Sequence, residues 1–226
     1  MAKEKGKKAE AAEELYTTLG GEGEAEMIEK KSIFIGQAAP AKNEAEALAF
    51  IEKIRHRHGD AAHNVWAYMV NKGASARYTD GGEPQGTAGI PILDVIRKNH
   101  FTDAVIVVTR YFGGILLGAG GLVRAYSASA KMAVDAAGIV TYEPYTVFRL
   151  TCGYSEYQRL QNELPKMGVE QDDISFAEGI TLSLAVRSAV FDSVSARISE
   201  MTSGRCRPEV TGGRFGKMPQ GGEWQK

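Results

Sequence analysis

The chain is poor in the residues that announce a chemistry. It has two cysteines in 226 residues, Cys152 and Cys206, which sit in no metal-like spacing. Its four histidines are His56, His58, His63 and His100. The first two fall at i, i+2, which points them in different directions on a helix, so they cannot readily share a metal. Charge of one sign is lacking too. Formal net charge is -1, so no global basic field recruits nucleic acid, although a local site remains open. No run of ~18 apolar residues can span a membrane, and no secretory segment opens the chain. A protein without a membrane role, in a reducing compartment and by preference the cytoplasm, is the expectation.

Glycine, in contrast, is plentiful at 26 residues, and much of it sits in two stretches. The first is "RYTDGGEPQGTAG", residues 77–89. The second is "TRYFGGILLGAGG", residues 109–121, directly after the apolar run "AVIVV".

Between these loops the pattern is of mixed α and β elements. "KSIFIGQAAPA" reads as a strand. "NEAEALAFIEKIRHRHG" reads as a helix capped by Asn43 with Glu46 as its N3 partner. "AHNVWAYMV" and "SARY" are strands, "IPILDVIRKN" a short helix and "DAVIVVTR" the most apolar strand. "LVRAYSASAKMAVDAAG" is a helix rich in small residues, able to pack close to a sheet. After Gly138 the pattern restarts. "TVFRLTC", "SEYQRLQNEL", "GVEQDDISFA", "GITLSLAV" and "SAVFDSVSARISEM" follow as strand, helix, strand, strand and helix, and a last short strand begins at Cys206. That order is a ferredoxin-like βαββαβ unit. The expected division is a flexible segment 1–19, a first domain 20–140, a second domain 142–210 and a flexible basic tail 211–226.

Placed between a buried strand and a helix start, the second glycine loop leaves backbone N–H groups facing outward, and the helix end adds positive potential. Arg110 and Arg124 flank it as fork-shaped donors. Gly113, Gly114, Gly118, Gly120 and Gly121 are the candidate anion- or nucleic-acid-binding glycines. The Walker lysine and the dinucleotide spacing G-x-G-x-x-G are both absent, and a purely structural turn is the competing reading. In the first loop, Asp80 and Glu83, with Thr87 nearby and Arg77 before them, could serve as an acid/base pair or cation ligands. They could equally be ordinary turn residues. His63 and Asn64 open a strand from which they could orient these loops. No constellation for covalent catalysis is found, and no cofactor or metal is expected. The tail interleaves Arg205, Arg207, Arg214 and Lys217 with Phe215 and Trp224, a mixture able to stack on single strands and equally that of an unstructured terminus with two stray rings.

"AHNVWAYMV", "ARYTDGGEPQGTAGIPIL" and "VVTRYFGGILLGAGGLVRAY", in this order, resemble the YigZ/IMPACT family over roughly residues 20–138. The family's loop reads closer to S-D-D-G-E-P-S-G-T-A-G. Here Thr79, Gly81 and Gln85 stand at its first serine, second aspartate and second serine. Losing that aspartate weakens a three-carboxylate metal reading. The resemblance implies an α+β chain with an N-terminal fold like the second domain of ribosomal protein S5. It also implies a C-terminal ferredoxin-like domain resembling domain V of elongation factor G. Eukaryotic IMPACT proteins are translational regulators. Their competition for a stress-kinase activator runs through a further domain and is not carried over to these residues. The leading expectation is a non-catalytic, translation-associated or nucleic-acid-binding protein, with RNA or the translation machinery as partner. The alternatives are an enzyme acting on a phosphorylated or peptide-like small molecule through Asp80 and Glu83, and a module that binds a protein partner.

Overall fold

The computed structural model describes residues 15–177 and 179–218. The chain divides into two units, Tyr16–Thr141 and the chain from Tyr142 onward. In the first unit, β1 (Tyr16–Leu19), β2 (Gly23–Glu29) and β3 (Ser32–Pro40) lead into α1 (Glu44–Arg57). β4 (His63–Val70), β5 (Ser75–Thr79), α2 (Gly89–Lys98), β6 (Ala104–Tyr111) and α3 (Ala119–Ala137) follow, and β7 (Ile139–Cys152) continues into the second unit.

Five strands form an antiparallel sheet in the order β2-β3-β6-β4-β5. Both faces of β6 are covered, which is why its sequence is an unbroken apolar run. Ala104, Ile106 and Val108 join a core built with α2 and α3, whereas Val105 and Val107 pack with Ala47, Phe50, Ile51 and Ile54 of α1. Because β3 and β4 both run antiparallel to β6, they are parallel to one another, and α1 is their crossover. The cap of α1 forms as its sequence implies. Asn43 Oδ1 accepts the Glu46 N–H at 3.0 Å, and the Glu46 carboxylate accepts the Lys42 N–H at 2.8 Å.

The second unit adds α4 (Tyr154–Leu160), β8 (Glu170–Phe176), β9 (Ile180–Arg187), α5 (Phe191–Met201) and β10 (Glu209–Lys217). Its strands run antiparallel in the order β10-β7-β9-β8, the ferredoxin-like arrangement. Phe148, Leu150, Leu182 and Leu184 pack on Leu160, Val194 and Ile198.

Three expectations are corrected. Residues 16–19, assigned to a flexible segment, form β1, whose Thr17 hydroxyl bonds that of Thr141 at 3.1 Å. Residues 211–217, assigned to a flexible tail, complete β10, which pairs with β7 through a ladder whose register shifts once, at Thr211. Gly212, Gly213 and Gly216 dilute the alternation by which that strand would have been read. Ser155 and Gln158 have the spacing of a capping box, which places the cap of this helix at Ser155, but α4 starts at Tyr154 and the Ser155 hydroxyl donates to the Glu156 carboxylate instead. The expectations for residues 1–14 and Trp224 lie outside the described residues.

Candidate functional site

Register brings the loops together. Tyr111 pairs with Ile33 and Arg110 with His63, so the end of β6 meets the starts of β3 and β4. The β2–β3 turn, the loop after β5 and the loop after β6 therefore leave from one end of the sheet.

The two carboxylates of the first loop are already engaged. Asp80 Oδ1 accepts the N–H groups of Ala88 and Gly89 at 3.1 and 2.8 Å, and Oδ2 accepts that of Gly86 at 2.9 Å. It caps α2 from eight residues upstream, since Ala88 at the N-cap has no oxygen to offer. Glu83 turns inward. Its Oε1 accepts Arg110 Nη1 at 2.6 Å and the Tyr126 hydroxyl at 2.8 Å, with side-chain exposures of 4% for Glu83 and 5% for Arg110. The Arg110 guanidinium lies 5.3 Å from the Phe34 ring centre and 5.4 Å from that of Phe112. Its Nη2 donates to Ser32 Oγ at 3.3 Å, and the same oxygen accepts the Gly113 N–H at 3.2 Å. Burial, and next the charge of Glu83, hold the Tyr126 phenol far above its usual range, so it remains a donor.

His63 completes this cluster. Its Nδ1 donates to the Gly81 carbonyl at 3.0 Å, and its Nε2 stands 3.8 Å from Glu83 Oε1. Asn64 links the start of β4 to its neighbours, donating to the His58 carbonyl and accepting from Thr109. Thr87 donates to the Pro84 carbonyl at 2.6 Å. Arg77 does not join them, because it pairs with Glu44 of α1 at 2.8 Å.

Two sequence expectations change as a result. Arg110 is no surface receptor for an anion, because its charge is buried and spent on Glu83. Glu83 is likewise no part of an exposed polar loop. The reason is common to both: two charges leave water together only when each neutralises the other.

What remains in solvent lies outside this layer. Arg124 is exposed, one turn into α3. At the amino end of α3, Gly118 occupies the cap with no side-chain acceptor, Gly120 and Gly121 lie in the first turn, and no acidic residue is there. Gly113 packs on the backbone of Lys31: a Cβ at 113 would fall 2.0 Å from the Lys31 carbonyl carbon. Lys30 and Lys31, both exposed, form the two-residue turn between β2 and β3 at φ of 45° and 65°. Phe112, Ile115 and Leu116 are exposed beside them, Leu116 by 81%. The lysine pair, Ser32 and Tyr126 were not singled out from sequence. Lys-Lys carries none of the Asn-Gly or Gly-Gly wording that marks such a turn.

Residues 30–134 match the Impact N-terminal domain, and residues 150–205 match a domain of unknown function, DUF1949. The chain is 35% identical over 191 residues to the IMPACT family member YvyE of Bacillus subtilis (strain 168), covering 84% of this chain and 88% of that protein. The chain belongs to the IMPACT family. The IMPACT family member YigZ of Escherichia coli (strain K12) is 31% identical over 178 residues, 77% of this chain and 87% of the relative. The protein IMPACT homolog of Dictyostelium discoideum matches at 35% over 97 residues, 41% of this chain and 28% of that protein. A solved crystal structure of a hypothetical protein superposes with a TM-score of 0.57 at 28% identity, covering 88% of this chain and 98% of that one. The IMPACT motifs quoted from the sequence thus coincide with the loops at this sheet end. Among the described residues no helix is long and apolar enough to cross a membrane.

Proposed function

We propose that this IMPACT family protein is a non-catalytic, translation-associated regulator that receives the phosphate backbone of RNA on the loop face of its first unit. One observation carries the reading. The cations left in solvent, Lys30, Lys31 and Arg124, belong to the turn and helix that border the glycine loop, where the first turn of α3 has no side-chain cap and no acidic residue. Lys30 and Lys31 hold the left-handed backbone angles that a two-residue hairpin turn requires, which fixes both at this end of the sheet. An acid–base enzyme is disfavoured, since Asp80 is bound to three backbone N–H groups and Glu83 to Arg110 and Tyr126.

A second reading has its own observation. Phe112, Ile115 and Leu116 expose an apolar tip that suits a protein partner. Filter binding of wild type, Arg124→Ala and Leu116→Ser to single-stranded RNA separates the two. The proposal expects Arg124→Ala to weaken binding alike on unrelated sequences and Leu116→Ser to change it little. Absence of RNA binding by wild type at low salt leaves the protein-docking reading.

A further inference from the structure

The chain's two cysteines lie far apart in sequence, yet both are buried in the single core of the second unit, Cys152 at 6% and Cys206 at 2% exposure. Cys152 is the last residue of β7, and Cys206 precedes β10. Where β10 begins, Glu209 lies opposite Arg149 and Val210 opposite Phe148. Residues 206–208 precede the ladder, and its register, continued three positions along them, would bring Cys206 opposite Cys152. Directly opposed residues of antiparallel neighbours have Cα atoms about 4.5–5.5 Å apart, within the roughly 4.4–6.8 Å that a disulfide spans. Both side chains point to the helix-covered side, with Phe148 and Leu150. Each thiol also acts on the proton affinity of the other.

We propose that Cys152 and Cys206 form a reversible dithiol–disulfide pair that staples the end of β7 to the approach of β10. A low-molecular-weight disulfide such as glutathione disulfide is the oxidant. One protein thiolate attacks it, forming a mixed disulfide and releasing one glutathione thiolate, which takes up a proton. The second protein thiol gives up its proton and attacks the protein sulfur of the mixed disulfide, expelling the second glutathione. Two protein thiols are oxidised, and one glutathione disulfide is reduced to two glutathiones.

The surroundings set the resting state and the rate. Burial, then the neighbouring Cys206 and the Glu156 carboxylate, push the Cys152 thiol up to about 11, and burial likewise raises Cys206. The hydrogen bond to Thr202, and then Arg205, which pairs with Glu156 at 3.0 Å, act oppositely on Cys206. The pair therefore rests as thiols and exchanges slowly, faster as pH rises, because the thiolate is the nucleophile. Once closed, the bond encircles roughly 50 residues, so it removes much of the unfolded chain's freedom.

Incubation of the full chain with glutathione disulfide at pH 8.5, and in parallel its refolding from denaturant in a glutathione buffer, tests the pair. The expected product is a monomer lighter by about 2 Da, with no thiol titrating in denaturant. Its second-unit melting midpoint rises by at least about 5 °C, and dithiothreitol reverses both changes. Cys152→Ser and Cys206→Ser should each give a glutathione adduct or no product, and never the lighter species. Two thiols still titrating after refolding under oxidising conditions would overturn the proposal, as would disulfide-linked dimers or separate glutathione adducts on both cysteines of the wild type.

Discussion

Replacing Glu83 with alanine removes the acceptor at the centre of the loop layer. Arg110 Nη1 then loses its 2.6 Å partner while the guanidinium stays enclosed by Phe34 and Phe112, and its Nε already has no partner among the described residues. The Tyr126 hydroxyl loses its acceptor as well. Breaking a buried ion pair on one side costs about 3–5 kcal/mol. For a unit of roughly 125 residues, each kcal/mol moves the midpoint by about 4 °C, so Glu83→Ala should lower it by roughly 12–20 °C. Glu83→Gln keeps an acceptor and loses only the charge, so its loss should be smaller, about 1–2 kcal/mol. Arg110→Met combined with Glu83→Gln should cost less than the sum of the two single changes by about 2 kcal/mol, because no charge is then left buried alone. Calorimetry of wild type, Glu83→Ala, Glu83→Gln, Arg110→Met and the double variant reads these shifts. A loss under about 1 kcal/mol for Glu83→Ala, or strict additivity in the double variant, would refute the buried-pair account.

Asp80→Asn leaves one oxygen to serve three N–H groups, and it should cost about 1–2 kcal/mol while speeding hydrogen exchange at residues 86–89. Gly113→Ala places a methyl 2.0 Å from the Lys31 backbone and should destabilise by more than about 2 kcal/mol in urea titrations. Gly114→Ala meets open space and pays only for its φ of 81°, about 1 kcal/mol. The Tyr126 phenol titrates above its usual 10.0 in the folded state, so above pH ~10 the unfolded chain releases a proton that the native one keeps. That contribution is complete below pH 10 and is lost as pH rises further. The wild type should thus lose stability more steeply than Tyr126→Phe between pH 10 and 11.

Much of the fold was legible because its cues are local. The Asn43–Glu46 cap, the apolar run of β6 and the restart after Gly138 each report their own element. β2 was missed because it lies near the sheet edge, with Glu24, Glu26 and Glu29 exposed, and because its turn is Lys30–Lys31. β10 was placed too early and cut too short, beginning at Cys206 rather than Glu209 and giving way to a tail at 211, because glycines stand where alternating side chains would mark a strand. At the site, the sequence located the loops, but it could not reveal that Glu83 folds inward. A Glu before a Pro reads as turn chemistry until Arg110 and Tyr126, 27 and 43 positions away, are seen to meet it. Pairings over such distances belong to the tertiary fold.

The central claim, that the solvent-exposed cations around the glycine loop hold a phosphate backbone, is tested most directly by the salt dependence of RNA binding. Filter-binding affinities of wild type and of the Lys30→Ala, Lys31→Ala, Arg124→Ala triple variant should be measured on one single-stranded RNA from low to moderate salt. If each cation neutralises one phosphate, the slope of log affinity against log salt should become shallower by about 2 in the variant, with the melting midpoint nearly unchanged. Equal slopes for two folded proteins, or no binding by the wild type at the lowest salt, would contradict it.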